Sequence, residues 1–103
     1  MADQVINDPT AIGAEHAAKQ LQRTSFFITA VDGSPDIEVS LKDKNSLILA
    51  SASQDPFVMA TKAVEIGQDI LNGKKPENPS IQLESVLVTR DTVGAYKGWT
   101  SPR

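Results

Sequence analysis

The chain has 103 residues, 40% of them apolar and 22% charged, with a formal charge of −3 and no cysteine. Such a length suits one small domain or a piece of a larger one, since domains usually run to roughly 100 to 200 residues. Disulfides, thiolate nucleophiles and cysteine-bound zinc are excluded, and with no basic run longer than Lys74 and Lys75 neither nucleic acid nor an acidic membrane finds an electrostatic footprint.

No segment approaches the roughly 18 consecutive apolar residues of a membrane helix. No basic start followed by an apolar run of roughly 7 to 15 residues is present either, so no signal peptide is visible. The single histidine, His16 in "GAEHAAKQ", has no second imidazole with which to share a metal or relay a proton, and reads as a surface helix residue.

In chain order, "DQVIN" is a short apolar run that reads as a strand ending at Asn7. Asp8 fits a helix N-cap and Pro9 the first helical position, where a missing N–H is harmless. The helix is expected to reach about Leu21, with Ile12, Ala14, Ala17, Ala18 and Leu21 as a thin stripe of mostly small residues. "SFFITAV" at 25–31 is β-branched and aromatic with almost no polar relief, as expected of a strand buried on both faces. Ser34 and Pro35 repeat the cap-and-proline signal and open a short helix through Ile37 and Leu41, ending by Asn45. "SLILASAS" at 46–53 is the next buried strand, and Asp55 with Pro56 is the third cap.

The helix over residues 56–72 has the strongest pattern, with Met59, Ala63, Ile66 and Ile70 on one stripe and Phe57, Val64 and Leu71 widening it. Gly73 is its natural stop. "KKPENPS" is turn chemistry, "IQLESVLV" at 81–88 reads as a strand, Asp91 could cap a last helical turn, and "YKGWTSPR" reads as a tail. This alternation of strands and helices predicts an α/β fold with a mostly parallel sheet and flanking helices.

In an open parallel sheet the strand-to-helix junctions share one edge, so Asn7, Asp32 and Gln54, each the last residue before its turn, are expected to approach one another where such folds bind ligands. Helix N-termini favour oxygen-rich ligands there. Capping, worth roughly 0.5 to 2 kcal/mol each, explains Asp8, Ser34 and Asp55. Asn7, Asp32 and Gln54 are not needed as caps; two amides and a carboxylate can both donate to and accept from hydroxyl groups, which suits a polyol. The alternative is that they satisfy turn backbone.

Phosphate cradles of the GxGxxG or GxxxxGK[ST] kind are absent from the sequence. Asp32 as a phospho-acceptor lacks the acidic pair and lysine of a receiver domain at other strand ends. A divalent cation on Asp8, Asp32 and Asp55 competes with the capping assignments. Serine and lysine are plentiful, but with no histidine at a strand end a nucleophile–base pair is hard to build; no catalytic constellation is evident, and no cofactor is implied.

The stretches "VINDPTAIGAEHAAKQL", "ITAVDGSPDIEVSLKDKNSLILASASQDPFVMATKAVEIGQDILNGKKP" and "ESVLVTRDTV", in that order, resemble the C-terminal segment of type 1 periplasmic sugar-binding proteins, the ribose-binding-protein-like receptors of ABC transporters. The resemblance implies two α/β lobes that close on a monosaccharide, periplasmic location, and delivery to the transporter's membrane subunits by the full-length parent. Asn7 matches the family's Asn-Asp motif, Asp32 its Asp-Gly motif, and Gln54 the glutamine at the third hinge crossover, which makes them expected sugar ligands. Pro9 and Thr10 depart from the family's usual Glu-Met, affecting the cap rather than the ligand position.

The family pattern assigns residues 1–54 to the second lobe, 55–80 to a helix that pairs with the first lobe, and 81–103 to the last strand and tail. The family is also much longer than this chain. Cover for the helix opened by Pro56 would then be missing, and the expectation is that it folds back on the chain's own sheet or packs against a second copy. Isolated sugar affinity is expected to be weak. A lactose-repressor-type effector domain shares the fold but needs a DNA-binding headpiece; a small flavodoxin-like or receiver domain is the third reading.

Overall fold

The computed structural model describes residues 2–78 and 80–102. Its elements alternate as expected: β1 (Ala2–Gln4), α1 (Asp8–Gln20), β2 (Phe27–Asp32), α2 (Pro35–Lys42), β3 (Ile48–Ser53), α3 (Pro56–Leu71) and β4 (Val86–Thr89), followed by a 3-10 turn over Val93–Ala95. The four strands form one sheet in the order β1-β2-β3-β4. β1 and β2 pair in parallel, as do β2 and β3, whereas β4 runs antiparallel to β3, with Ser53 opposite Val86.

Each helix starts where proline chemistry allows, though the first cap differs from expectation. Asn7, not Asp8, is the N-cap of α1: its Oδ1 accepts from the Thr10 N–H at 3.0 Å and the Thr10 hydroxyl at 2.6 Å. Asp8 is thereby carried into the first helical turn, completely buried. Ser34 and Asp55 cap α2 and α3 as expected, accepting from the N–H groups of Ile37 and Val58. Gly73, at φ +82°, follows the end of α3, the left-handed position that glycine adopts without a Cβ penalty.

The core lies between the sheet and the pair α1 and α2. Ile28, Ile37, Leu41, Ile48 and Val88 are fully buried there, with Ala11, Ala30 and Val93 beside them. The buried face of α1 is centred on Ala11 and Ala18, while Ala17 and Leu21 of the expected stripe are exposed. Between the two alanines Glu15 points at the sheet and accepts from the Ser46 hydroxyl and the Leu47 N–H, so a polar residue stands where an apolar one would ordinarily be required. On the other side of the α2–β3 connection, the Arg90 guanidinium donates to the carbonyls of Leu41, Ser46 and Ile48.

Among the described residues, α1 and α2 cover one face of the sheet and no helix packs closely on the other. Side chains alternate across a strand, so Ile28 and Ala30 are buried while Phe27 of β2 and Leu49 of β3 are exposed. The expectation that these strands are buried on both faces does not hold.

The α3 helix departs furthest from the compact unit. None of its residues is buried; Val64 is 72% and Leu71 85% exposed. It does not fold back on the chain's own sheet. Residues 76–85 return as an irregular segment, and the strand expected at 81–88 is confined to Val86–Thr89. Pro79 of the predicted turn lies outside the described residues.

Candidate functional site

The turn after β2 is the structural centre of the strand-end rim. Asp32 has φ +138° and Gly33 φ +75°; positive φ strains a residue with a Cβ, at roughly 1 to 3 kcal/mol. Glycine is required at the second position for a further reason, because a Cβ there would lie 2.6 Å from the Tyr96 hydroxyl and 2.7 Å from the Ser53 Cβ. The Asp32 carboxylate sits between the other two junctions. Its Oδ1 accepts from Gln54 Nε2 at 2.9 Å, and its Oδ2 from the Asp8 N–H at 3.4 Å. A backbone bond from the Gln54 N–H to the Asp32 carbonyl, 2.8 Å, runs alongside.

Beneath the rim, Asp8 fastens α1 to the β2–α2 turn. Its Oδ2 accepts from the Ser34 N–H and its Oδ1 from the Ser51 hydroxyl, both at 2.7 Å. Ser51 in turn accepts from the Gly33 N–H at 3.1 Å. A buried carboxylate is tolerated where its oxygens are satisfied by donors, and the N-termini of α1 and α2 lie at these same atoms, where the helix dipole favours negative charge. Asp8 is therefore a structural latch.

The structure thus brings Asp32 and Gln54 into direct contact and joins the Asn7–Asp8 junction to them through the Asp8 N–H. All three predicted residues are half-buried. Asn7 spends its Oδ1 on the helix cap, contrary to the expectation that capping did not need it. Its amide nitrogen, and the Oε1 of Gln54, have no hydrogen-bond partner among the described residues. What the rim offers is therefore an amide donor, a carboxylate with spare lone pairs and an amide acceptor. Two open cavities border it at Gln54 alone. One, of about 670 Å³, runs between α3 and residues 76–85, with Val58, Met59, Ile66, Ile81 and Leu83 on its walls; the other, of about 730 Å³, lies between β4 and the C-terminal residues. Neither is lined by Asn7 or Asp32, so these two cavities do not enclose the ledge formed by the three junctions. Among the described residues no group of three acidic, histidine or cysteine side chains could hold a metal ion.

No protein-family model matches the chain. It is 32% identical over 69 residues to the ribose import binding protein of Salmonella typhimurium, a match covering 67% of this chain and 23% of that protein. Among solved structures it superposes on an ABC transporter solute-binding protein from Agrobacterium vitis with bound allitol, with a TM-score of 0.82 at 26% identity, over 91% of this chain and 32% of that one. An ABC sugar transporter subunit from Rhodobacter sphaeroides 2.4.1 follows at 0.76 and 30% identity, over 87% and 32%.

The chain has the type 1 periplasmic-binding-protein fold, in part. It is homologous to ABC transporter solute-binding proteins and spans about a quarter to a third of the lengths of those it matches.

Within this partial periplasmic-binding-protein fold, two contributors to the rim were not anticipated. The residues read as a tail dock instead: the Tyr96 hydroxyl donates to the Gly33 carbonyl at 2.8 Å and the Trp99 indole N–H to the Gln54 carbonyl at 3.0 Å. Thr92, not Asp91, stands at the N-cap position of the last turn, without a side-chain capping bond, and Arg103 of the predicted tail lies outside the described residues. Burial, with the negative charges of Glu38, Asp55 and Asp8 behind it and a hydrogen bond with Ser53 acting against it, raises the Tyr96 pKa above the usual tyrosine value. The signal available in the sequence was two aromatic residues with polar tips in an otherwise polar terminus, since such side chains pack where they find a partner for N–H or O–H.

Proposed function

We propose that the chain binds a monosaccharide or related polyol, without catalysing its conversion, as part of the substrate-binding component of a periplasmic ABC sugar transporter, with Asn7, Asp32 and Gln54 as hydroxyl ligands. The observation that carries this reading is the hydrogen bond between Asp32 and Gln54, which joins two junctions far apart in sequence on one half-exposed ledge. The donors and acceptors left at Asn7, Asp32 and Gln54 complement vicinal hydroxyls, each of which both donates and accepts. The allitol bound to the Agrobacterium vitis protein and the ribose named for the Salmonella protein support a polyhydroxylated ligand. In this reading transfer to membrane subunits belongs to the whole receptor.

Titration of the labelled chain with allitol or ribose, followed by amide NMR shifts, tests the assignment. Expected are weak, saturable shifts at Asn7, Asp32, Gly33 and Gln54, because a ledge gives fewer hydrogen bonds than an enclosed site. Asn7→Ser keeps a capping oxygen but removes the amide, and is expected to weaken binding about tenfold, the equivalent of one hydrogen bond at roughly 1.4 kcal/mol. Shifts that avoid the rim, or an Asn7→Ser chain that binds as the parent does, would refute the assignment.

A further inference from the structure

We infer that residues 93–99 form a strap that sets the geometry of the sugar ledge, with Tyr96 and Trp99 as positioning residues; the inference rests on the functional reading above. The strap is fastened at two places apart from the ledge. Val93 is buried in the core, and buried Gly98 lies so close to α2 that a Cβ on it would come within 2.7 Å of the Glu38 carboxylate. Between and beyond these anchors the strap reaches the backbone of each of the two turns that carry the predicted ligands, and the Tyr96 hydroxyl also bonds the Ser53 side chain. Tyr96 takes the Gly33 carbonyl, one residue after Asp32, and Trp99 takes the carbonyl of Gln54 itself.

The contacts to Gly33 and Gln54 are to backbone, so they fix the peptide and leave the ligand side chains available. Gln54 is held from two sides, its N–H by the Asp32 carbonyl and its C=O by Trp99. Its side-chain amide can then bond Asp32 while Oε1 keeps no hydrogen-bond partner among the described residues. At the other turn the Tyr96 hydroxyl closes over a glycine whose positive φ follows the strained Asp32. A side chain held in a strained backbone persists only where its surroundings over-determine it, and the strap supplies that surrounding for both turns together. Binding strength at such a ledge depends on pre-organisation, since ordering the groups at the moment of binding subtracts from affinity.

The test uses the full chain with Trp99→Phe, which deletes the indole N–H and keeps an aromatic ring, and Tyr96→Phe, which deletes the hydroxyl. Amide hydrogen exchange is read at Gly33 and Gln54, with Ile28, bonded to the Leu47 carbonyl in the core, as the reference. Expected is exchange at least tenfold faster at Gln54 in Trp99→Phe and at Gly33 in Tyr96→Phe, with Ile28 unchanged, together with allitol affinity at least fivefold weaker in Trp99→Phe. Unchanged exchange at the turns overturns the inference, as does an equal acceleration at Ile28, which would make the aromatics general stabilisers. Faster exchange at the turns with allitol affinity unaltered overturns it too. Should the parent chain show no allitol shifts at all, the functional reading fails on its own account, while the exchange arm still upholds or rejects the strap as the holder of the two turns.

Discussion

Helices α1 and α3 begin with the same device, a polar N-cap and a proline in the first turn, and then part company. α1 is the less apolar of the two, yet its Ala11 and Ala18 are buried against the sheet. α3 carries Phe57, Met59, Val64, Ile66, Ile70 and Leu71 and buries none of its sixteen residues. Burial is thus a property of two surfaces that meet, and an apolar stripe supplies only one of them. The shape of the molecule follows: it measures 58 × 24 × 17 Å with a radius of gyration of 17.1 Å, where a compact chain of about 100 residues would have about 13 Å.

Paired substitutions give this contrast a number. Leu41→Ala in α2 removes a fully buried side chain and is expected to destabilise the chain by about 2 to 5 kcal/mol in denaturant titration. Met59→Ala in α3, where the side chain is half in water, is expected to fall within about 0.5 kcal/mol of the parent. Equal effects at the two positions would mean that α3 is covered in solution. Next in size is Asp8→Ala. It leaves the Ser34 N–H and the Ser51 hydroxyl without their acceptor, at about 1 to 3 kcal/mol for the group left unsatisfied. A loss below the effect of Met59→Ala would show that Asp8 does not latch the turn.

The alternation of elements was legible because strand and helix periodicities differ and because proline marks each helix start. The gathering of Asp32 and Gln54 was legible for the same reason: strands that run parallel place their ends together. Local exchange of roles was harder to see. Asn and Asp cap about equally well, so sequence alone did not separate Asn7 from Asp8, and the buried partners that decide the matter, Ser34 and Ser51, lie 26 and 43 residues away. Glu15 misled the helix stripe because its acceptor role depends on Ser46 and Leu47 across the fold. Docking of Tyr96 and Trp99 depended on carbonyls at Gly33 and Gln54, which no periodicity announces.

The smallest effect concerns the strap's own titration, and it separates the docked C-terminus from the exposed α3 region by chemistry instead of packing. Tyr96 is the chain's one tyrosine, so tyrosinate absorbance reports it alone. Burial and the neighbouring carboxylates favour its neutral form and raise its pKa in the fold, whereas the unfolded chain keeps the ordinary value near 10. Below that value the phenol is neutral in both states, and its contribution is fully present. As pH rises past it, the unfolded chain ionises first, so stability falls until the folded phenol ionises too. Ionisation also removes the proton donated to the Gly33 carbonyl. The expected outcome is a tyrosinate midpoint above the free-tyrosine value that returns to it in denaturant, with an alkaline loss of stability that Tyr96→Phe reduces. A midpoint at or below the free value would mean that the hydroxyl stands in water in the native state, and that the C-terminal residues do not hold the turn as the geometry requires.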